Sequence, residues 1–221
     1  MKKKPPSQDY LDHLVIQASV EDSVLVGGMA VNLWANAYGI ESRIPHLTGD
    51  IDFFGDHLAI EESAEKLRAA GENVTEYLAT LDDATPNSGR LTVAAKAKDV
   101  EPAGIDFMAR IDGLSTDDIV AKAVPLQLGD ATVFVMHPIL LLENKINNLA
   151  LYPNKRNAAG VEQARLAIEI ARRFLENHAR NEERRATLLL VERMARAAGR
   201  EAACFAAKAF QLVMLDALPD E

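Results

Sequence analysis

Two aspartates, Asp50 and Asp52, stand two positions apart in an otherwise apolar run. Side chains at positions i and i+2 of a β-strand project to the same side of a sheet. Ile51 and Phe53 would then project to the other side, which is typical of a strand with one buried face. Two carboxylates on one side of a strand can bind a divalent cation such as Mg²⁺ for phosphoryl chemistry.

A pair of glycines, Gly27 and Gly28, precedes this motif by about twenty residues. The apolar residues before it predict a strand at 23–26, and the helical spacing after it predicts a helix at 29–38. Glycine lets the backbone approach a phosphate closely, and the start of a helix offers N–H groups without intrahelical partners. The sequence therefore predicts a phosphate-binding turn near the acidic pair.

A third carboxylate, Asp106, lies between Ile105 and Phe107 and repeats the apolar–Asp–apolar pattern. If its strand neighbours the strand at 50–54, Asp106 can face the same site. Three carboxylates around one or two Mg²⁺ ions suit in-line transfer at a nucleotide phosphate. The third carboxylate would either hold a second ion or accept the proton of an attacking hydroxyl.

These residues are placed by a chain that changes character near His137. Short strands alternate with helices before this point, and helical spacing continues after it. A Pro-Asn-Ser-Gly turn is predicted at 86–89. The predicted strands are 23–26, 50–54, 73–80, 90–97, 104–110 and 131–136, and the predicted helices are 9–18, 29–38, 58–70, 139–151, 161–177, 182–198 and 201–215. We expect an α+β chain with a small mixed sheet at 1–136 and a helical domain at 137–221.

The composition is that of a folded protein, with 221 residues and 48% hydrophobic content. The single cysteine, Cys204, excludes an intramolecular disulfide, and its alanine neighbours predict a core position. No apolar segment follows the lysines at positions 2–4, so we expect neither a signal peptide nor a membrane span. A cytoplasmic protein with no membrane partner fits these features.

The net charge of −9 argues against a general nucleic-acid binder, but the charge is uneven. Residues 155–200 contain 11 basic and six acidic side chains. Such a segment is either a solvated helical face with i,i+4 ion pairs or a docking surface for a polyanion such as RNA.

In this order, Gly27-Gly28, Asp50-x-Asp52 and Asp106 resemble the nucleotidyltransferase superfamily with a DNA polymerase β-type palm. The helix predicted after His137-Pro138, which contains Lys145, is similar to that of AbiEii-type nucleotidyltransferases. The resemblance spans about residues 24–156. It implies a nucleotidyltransferase palm followed by a helical bundle.

The family implies an Mg²⁺-dependent transfer of a nucleoside monophosphate from an NTP to an acceptor. Asp50, Asp52 and Asp106 would be catalytic and bind the metal, Gly27 and Gly28 would contact the nucleotide phosphates, and Lys145 would be catalytic and reach the triphosphate.

Two features depart from the family pattern. Arg43 lies five residues before Thr48, farther than the arginine that family members often carry there. The segment 155–163 also lacks the aspartate that AbiEii-type members often carry after the lysine helix.

The resemblance leaves the acceptor open. One alternative is a toxin that modifies RNA and is paired with an antitoxin protein, and another is an enzyme that modifies a small molecule such as an antibiotic. A third is a module that binds nucleotide or a partner protein without catalysis.

Overall fold

A seven-stranded mixed sheet carries the predicted site residues, with the strands in the order β3-β4-β5-β2-β1-β7-β6. The computed structural model describes residues 3–44, 47–80, 82–83, 85–181 and 184–219. The strands are β1 (Val24–Val26), β2 (Ile51–Phe54), β3 (Val74–Leu78), β4 (Asn87–Val93), β5 (Ala103–Met108), β6 (Val124–Leu128) and β7 (Ala131–Val135). The β2/β5 and β1/β7 pairs are parallel, and the other pairs are antiparallel.

Within the described residues the chain also forms eight α-helices: α1 (Gln8–Ala18), α2 (Gly27–Tyr38), α3 (His57–Ala69), α4 (Thr116–Ala121), α5 (Pro138–Leu151), α6 (Ala158–Asn181), α7 (Arg184–Ala198) and α8 (Glu201–Phe210). Short 3₁₀ helices lie at Pro153–Lys155 and Met214–Ala217. None of the helices in the described part is both long and apolar enough to cross a membrane. The predicted α+β class, with a mixed sheet followed by helices, is confirmed.

The chain divides into two compact units. The sheet unit takes in Met1–Ala30, Thr48–Ile111 and Ser115–Met136, and the helical unit takes in Val31–Leu47, Asp112–Leu114 and His137–Glu221. The last boundary lies where the sequence pattern changes, between Met136 and His137. Two segments from the first 136 residues nevertheless belong to the helical unit.

The core of the sheet unit lies on one face of the sheet. Phe53 of β2 and Phe107 of β5 are fully buried and stack with their ring centroids 5.5 Å apart. On the same face α3 lies close to β4, since a Cβ built on Gly89 would lie 2.8 Å from Ile60 Cδ1. This apolar face anchors β2 and β5 side by side and leaves their polar side chains on the other face.

A buried carboxylate, Glu72, ties the first helix of the sheet unit to the segments after α3 and β4. Its side chain is 1% exposed and lies 2.7 Å from Lys96 Nζ. Tyr10 Oη donates to Glu72 Oε2 at 2.9 Å, and His13 Nε2 lies 3.5 Å from Glu72 Oε1. A buried charge with several hydrogen-bond donors is tolerated because the donors replace its lost hydration.

This cluster lowers the pKa of Glu72 and raises the pKa of Tyr10. Burial alone would raise the pKa of Glu72, but the hydrogen bonds from Lys96 and Tyr10 outweigh it and leave the pKa below the ordinary 4.5. Burial and the hydrogen bond to Glu72 raise the pKa of Tyr10 to about 12. Both shifts favour the pair in which the carboxylate is charged and the phenol is neutral.

The core of the helical unit is formed by α5 together with α6, α7 and α8. Its buried apolar side chains include Ile139, Leu142, Ile146, Leu149, Ala167, Leu175, Met194 and Ala206. A second buried carboxylate, Glu143, lies on α5 with its side chain 1% exposed. It accepts hydrogen bonds from Arg193 Nε and, at 3.3 Å, from Arg200 Nη1, and so links α5 to α7 and to the segment before α8.

Three side chains from about one turn of α6 hold the loop before β2 against this helix. Glu162 Oε1 accepts the backbone N–H of Arg43 at 2.7 Å, and Gln163 Nε2 donates to the carbonyl of Leu47 at 2.9 Å. Arg165 Nη2 donates both to Glu162 Oε1 at 2.8 Å and to the carbonyl of Glu41 at 3.1 Å. The buried Glu162 is thus satisfied by a side chain and by the loop backbone.

Two strands differ from what the sequence predicts. Asn87 to Gly89, predicted as a turn, belong to β4, where the register shifts between Asn87 and Gly89. Ser88 explains the difference, since its hydroxyl donates to the carbonyls of Gly55 and Phe107 and holds the segment in the sheet. The strand β6 was not predicted, because it contains Pro125 and lies at the sheet edge, where a proline is tolerated.

Two predictions about α8 are also wrong. The helix ends at Phe210 and not at residue 215, because Gln211 adopts the left-handed conformation with φ 58°. Cys204 is exposed, since α8 buries Ala203 and Ala206 on its other side. Of the helix predicted at 182–198, residues 182 and 183 lie outside the described residues, and the rest is confirmed by α7.

Replacing Glu72 by Gln should lower the free energy of unfolding at pH 7 by about 1–3 kcal/mol, because charge-assisted hydrogen bonds in a buried site are lost. The pKa of Glu72 is lowered by folding, so its contribution is present above pH 4.5 and is lost as the pH falls through the folded-state value. Urea unfolding from pH 7 to pH 3 should therefore show a flatter pH dependence in Glu72→Gln. Glu61→Gln, at an exposed position of α3, is the control and should behave as wild type.

Replacing Gln211 by Gly should raise the free energy of unfolding by about 0.5–1 kcal/mol, because glycine adopts positive φ without strain. Lys208→Gly, at an exposed position inside α8, should lower it by about 1 kcal/mol. Thermal unfolding of both variants measures the contrast. Equal destabilisation by the two glycines would contradict the left-handed assignment at Gln211.

Candidate functional site

The register of β2 and β5 brings two of the predicted acids together. In this parallel pair Asp52 lies directly opposite Asp106. Paired residues of adjacent strands project from the same face, so both carboxylates leave the face opposite to Phe53 and Phe107. Both side chains are partly exposed. The sheet therefore presents two neighbouring carboxylates on a face that solvent reaches.

Asp50 lies just before β2 and is exposed. Its backbone N–H donates to Thr48 Oγ1 at 3.3 Å, and the Thr48 hydroxyl donates to the Asp50 carbonyl at 3.1 Å. These two bonds hold the segment that enters β2 in a turn. The strand predicted at 50–54 thus begins one residue later, at Ile51, and Asp50 lies outside it.

Gly27 is the first residue of α2, directly after β1, and contacts Asp52 closely. It has φ +67°, and a Cβ built on it would lie 2.0 Å from Asp52 Oδ2. The antiparallel pairing of Val26 with Asp52 produces this approach. Only glycine allows both the backbone conformation and the contact. Gly28 follows in the first turn of α2, a 12-residue helix.

Asp106 also contacts the strand on its other side. It is opposite Arg90 of β4 in the antiparallel pairing, and Arg90 Nη1 donates to Asp106 Oδ1 at 3.1 Å and Oδ2 at 2.9 Å. Asn87 Nδ2 lies 3.4 Å from Asp106 Oδ1. Sequence reasoning missed both residues. The signal was weak, because an arginine at an alternating position of a strand is typical of a solvated face.

The donor types on this face suit Mg²⁺, which prefers carboxylate oxygens. Among the described residues, however, no three Asp, Glu, His or Cys side chains are gathered closely enough to share one metal ion. The binding of the ion by Asp50 and Asp52 stays a prediction. The third acid, Asp106, already has a cation at its carboxylate in Arg90.

Lys145, the remaining predicted site residue, lies on α5 in the helical unit and is 5% exposed. The chain surrounds it with other buried residues of α5, including Glu143 and Ile146. Its assignment to the triphosphate stays a prediction.

Comparisons with known proteins give similarity in fold only. No protein-family model matches the chain, and no curated protein does. Among solved structures, an antigenic nucleotidyltransferase-like protein from Paracoccidioides brasiliensis shares 14% identity at a TM-score of 0.49, over 75% of this chain and 78% of that one.

Two further solved structures are of the antibiotic-resistance factor ANT(2'')-Ia. Its crystal structure in complex with adenylyl-2''-tobramycin shares 14% identity at a TM-score of 0.45, over 92% of this chain and 99% of that one. Its solution structure shares 14% identity at a TM-score of 0.43, over 72% and 82%. Similarity at this level carries no argument about function, which has to rest on the residues themselves.

Replacing Gly27 by Ala should lower the free energy of unfolding by at least about 2 kcal/mol, because the methyl group collides with Asp52 and the backbone is strained. Gly39→Ala separates the two effects. Gly39 has φ +65° but nothing within 4 Å of its built Cβ, so only strain remains, about 1 kcal/mol. Urea unfolding of both variants measures the difference, and equal losses would contradict the contact between Gly27 and Asp52.

Proposed function

We propose that this protein is a metal-dependent nucleotidyltransferase that moves a nucleoside monophosphate from an NTP to an acceptor. One observation carries the proposal: Asp52 and Asp106 are paired across neighbouring strands, and Asp52 lies against Gly27 at the start of α2. An acidic pair beside the start of a helix, whose first backbone N–H groups have no intrahelical partners, can bind a metal–triphosphate complex.

The proposed roles are those that the family resemblance implies for these residues. Asp50 and Asp52 would hold Mg²⁺, which when bound offsets negative charge on the phosphates. The backbone at Gly27 and Gly28 would donate hydrogen bonds to phosphate oxygens. The oxygen of the acceptor hydroxyl would form a bond to the α-phosphorus and give up its proton, for which Asp106 is the candidate base, while the bond from this phosphorus to the bridging oxygen breaks and pyrophosphate leaves.

RNA is the first acceptor to test, and the reason is the distribution of exposed arginines in the helical unit. Arg180, Arg184, Arg185 and Arg196 are all exposed on α6 and α7. Guanidinium groups that face solvent attract a phosphate backbone. Transfer to RNA would make the protein a candidate toxin with an antitoxin partner, whereas transfer to a small hydroxyl compound would make it an antibiotic-type enzyme.

The test uses each of the four NTPs labelled at the α-phosphate, with Mg²⁺ and either total tRNA or a panel of hydroxyl-bearing antibiotics. Wild type should transfer label to one acceptor class. Asp52→Asn should reduce the rate by at least about 100-fold, because charge on the phosphates is no longer offset. The matched control, Asp22→Asn at an exposed turn, should keep the wild-type rate.

Two results would contradict the proposal. Transfer at the wild-type rate by Asp52→Asn would show that the reaction does not need the Asp52 carboxylate. Nucleotide binding by wild type with no label on any acceptor would favour the non-catalytic alternative.

A further inference from the structure

A guanidinium group occupies one side of the acidic face. Arg90 Nη1 lies within hydrogen-bond distance of both Asp106 oxygens, at 2.9 and 3.1 Å. The antiparallel pairing of Arg90 with Asp106 sets this contact, because directly opposed residues have neighbouring side chains. The charge of the third carboxylate is therefore already balanced by the protein itself.

The backbone of β5 is shaped to admit this guanidinium. A Cβ built on Gly104 would lie 2.0 Å from Arg90 Nη2, 2.7 Å from Cζ and 3.2 Å from Nε. The planar group therefore lies across the glycine, two residues from Asp106 on the same strand face. A side chain at position 104 would displace it. The position of Arg90 thus depends on both the carboxylate and the absence of a side chain beside it.

We infer that Arg90 stands in place of a second divalent ion, so that the site takes one divalent ion, at Asp50 and Asp52. A divalent ion such as Mg²⁺ binds a carboxylate oxygen at about 2.0–2.1 Å. An ion bound to Asp106 at that distance would lie against the guanidinium, and the two cations would repel each other in a partly desolvated place. The inference rests on the proposed function for its assignment of the first ion.

This assignment also narrows the role of Asp106. The sequence left two roles open for Asp106, to hold a second metal ion or to accept the proton of an attacking hydroxyl. The Arg90 guanidinium lies where a second metal ion would bind, so Asp106 does not hold one. Its carboxylate remains able to accept a hydrogen bond from the hydroxyl of the acceptor substrate. Arg90 is then a positioning residue, which fixes the Asp106 carboxylate.

A surface ion pair without function is the competing explanation, since exposed pairs contribute little to stability. The chain offers such a pair as a control. Arg68 and Glu76 form an ion pair in the same unit, and the arginine side chains are equally exposed, 47% for Arg68 and 45% for Arg90. A substitution of Arg68 removes the same charge from the sheet unit without touching Asp106.

The experiment counts Mn²⁺ ions on the protein by native mass spectrometry, in complex with an NTP analogue that cannot be cleaved between the α- and β-phosphates. Wild type and Arg68→Met should carry one ion per chain. Arg90→Met should carry two, a twofold rise. Gly104→Ala should also carry two, because its methyl group displaces the guanidinium while the charge of the chain is unchanged.

Gly104→Ala also covers the case in which Arg90→Met does not fold, since the three atoms nearest to the new Cβ all belong to the far end of the flexible Arg90 side chain. Circular dichroism confirms the fold of each variant. Two ions on wild type, or one ion on every folded variant, would overturn the inference. No ion on any form would overturn it together with the metal-dependent function.

The proposed function fails separately, on the transfer assay. One ion on wild type and two on Arg90→Met, with no label on any acceptor, would leave the role of Arg90 supported and the transferase activity contradicted.

Discussion

The place of β2 between β1 and β5 is the constraint on which the site depends. Its antiparallel pairing with β1 presses Asp52 against Gly27, and its parallel pairing with β5 puts Asp106 beside Asp52. A slip of one residue would turn Phe53 to the acidic face and Asp52 into the core. The stacked, fully buried rings of Phe53 and Phe107 oppose that slip. Packing on the apolar face therefore keeps the two carboxylates on the polar face.

Buried and solvent-exposed carboxylates differ in their surroundings in this chain. Glu72 and Glu143 have side chains 1% exposed, and each accepts hydrogen bonds that join separate segments of one unit, from Lys96 and Tyr10 at Glu72 and from two arginines at Glu143. Asp106 keeps a side chain 16% exposed, and Asp50 is open to solvent. A buried, fully bonded carboxylate has no capacity left for a ligand, whereas a carboxylate at an open strand start can exchange water for a metal ion.

Much of this architecture could be predicted from local patterns. The alternation around Asp52 and Asp106 predicts strands, and the pair Gly27-Gly28 predicts a turn into a helix, because these signals lie within a few residues of one another. What local patterns miss depends on partners far away in the chain. Ser88 belongs to a strand because its hydroxyl meets carbonyls of Gly55 and Phe107.

The edge strand β6 was not predicted and the end of α8 was predicted wrongly for related reasons. Pro125 weakens a strand signal, yet an edge strand needs only one side of its backbone for pairing. Gln211 is not a typical left-handed residue, so nothing in the sequence marks the end of α8 there. In each case the three-dimensional context outweighs the local preference of the residue.

Arg90 shows most clearly what a sequence alone cannot reveal. In the sequence it stands 16 residues from Asp106 and looks like the solvated side of a strand. Only the register of β4 against β5 makes it the partner of a site carboxylate, and only the missing side chain at Gly104 lets it lie flat. An acidic motif predicts where cations bind, but its charge balance depends on which side chains of neighbouring strands already supply positive charge. The single metal ion that we infer for this site therefore follows from the sheet register as well as from the acidic residues.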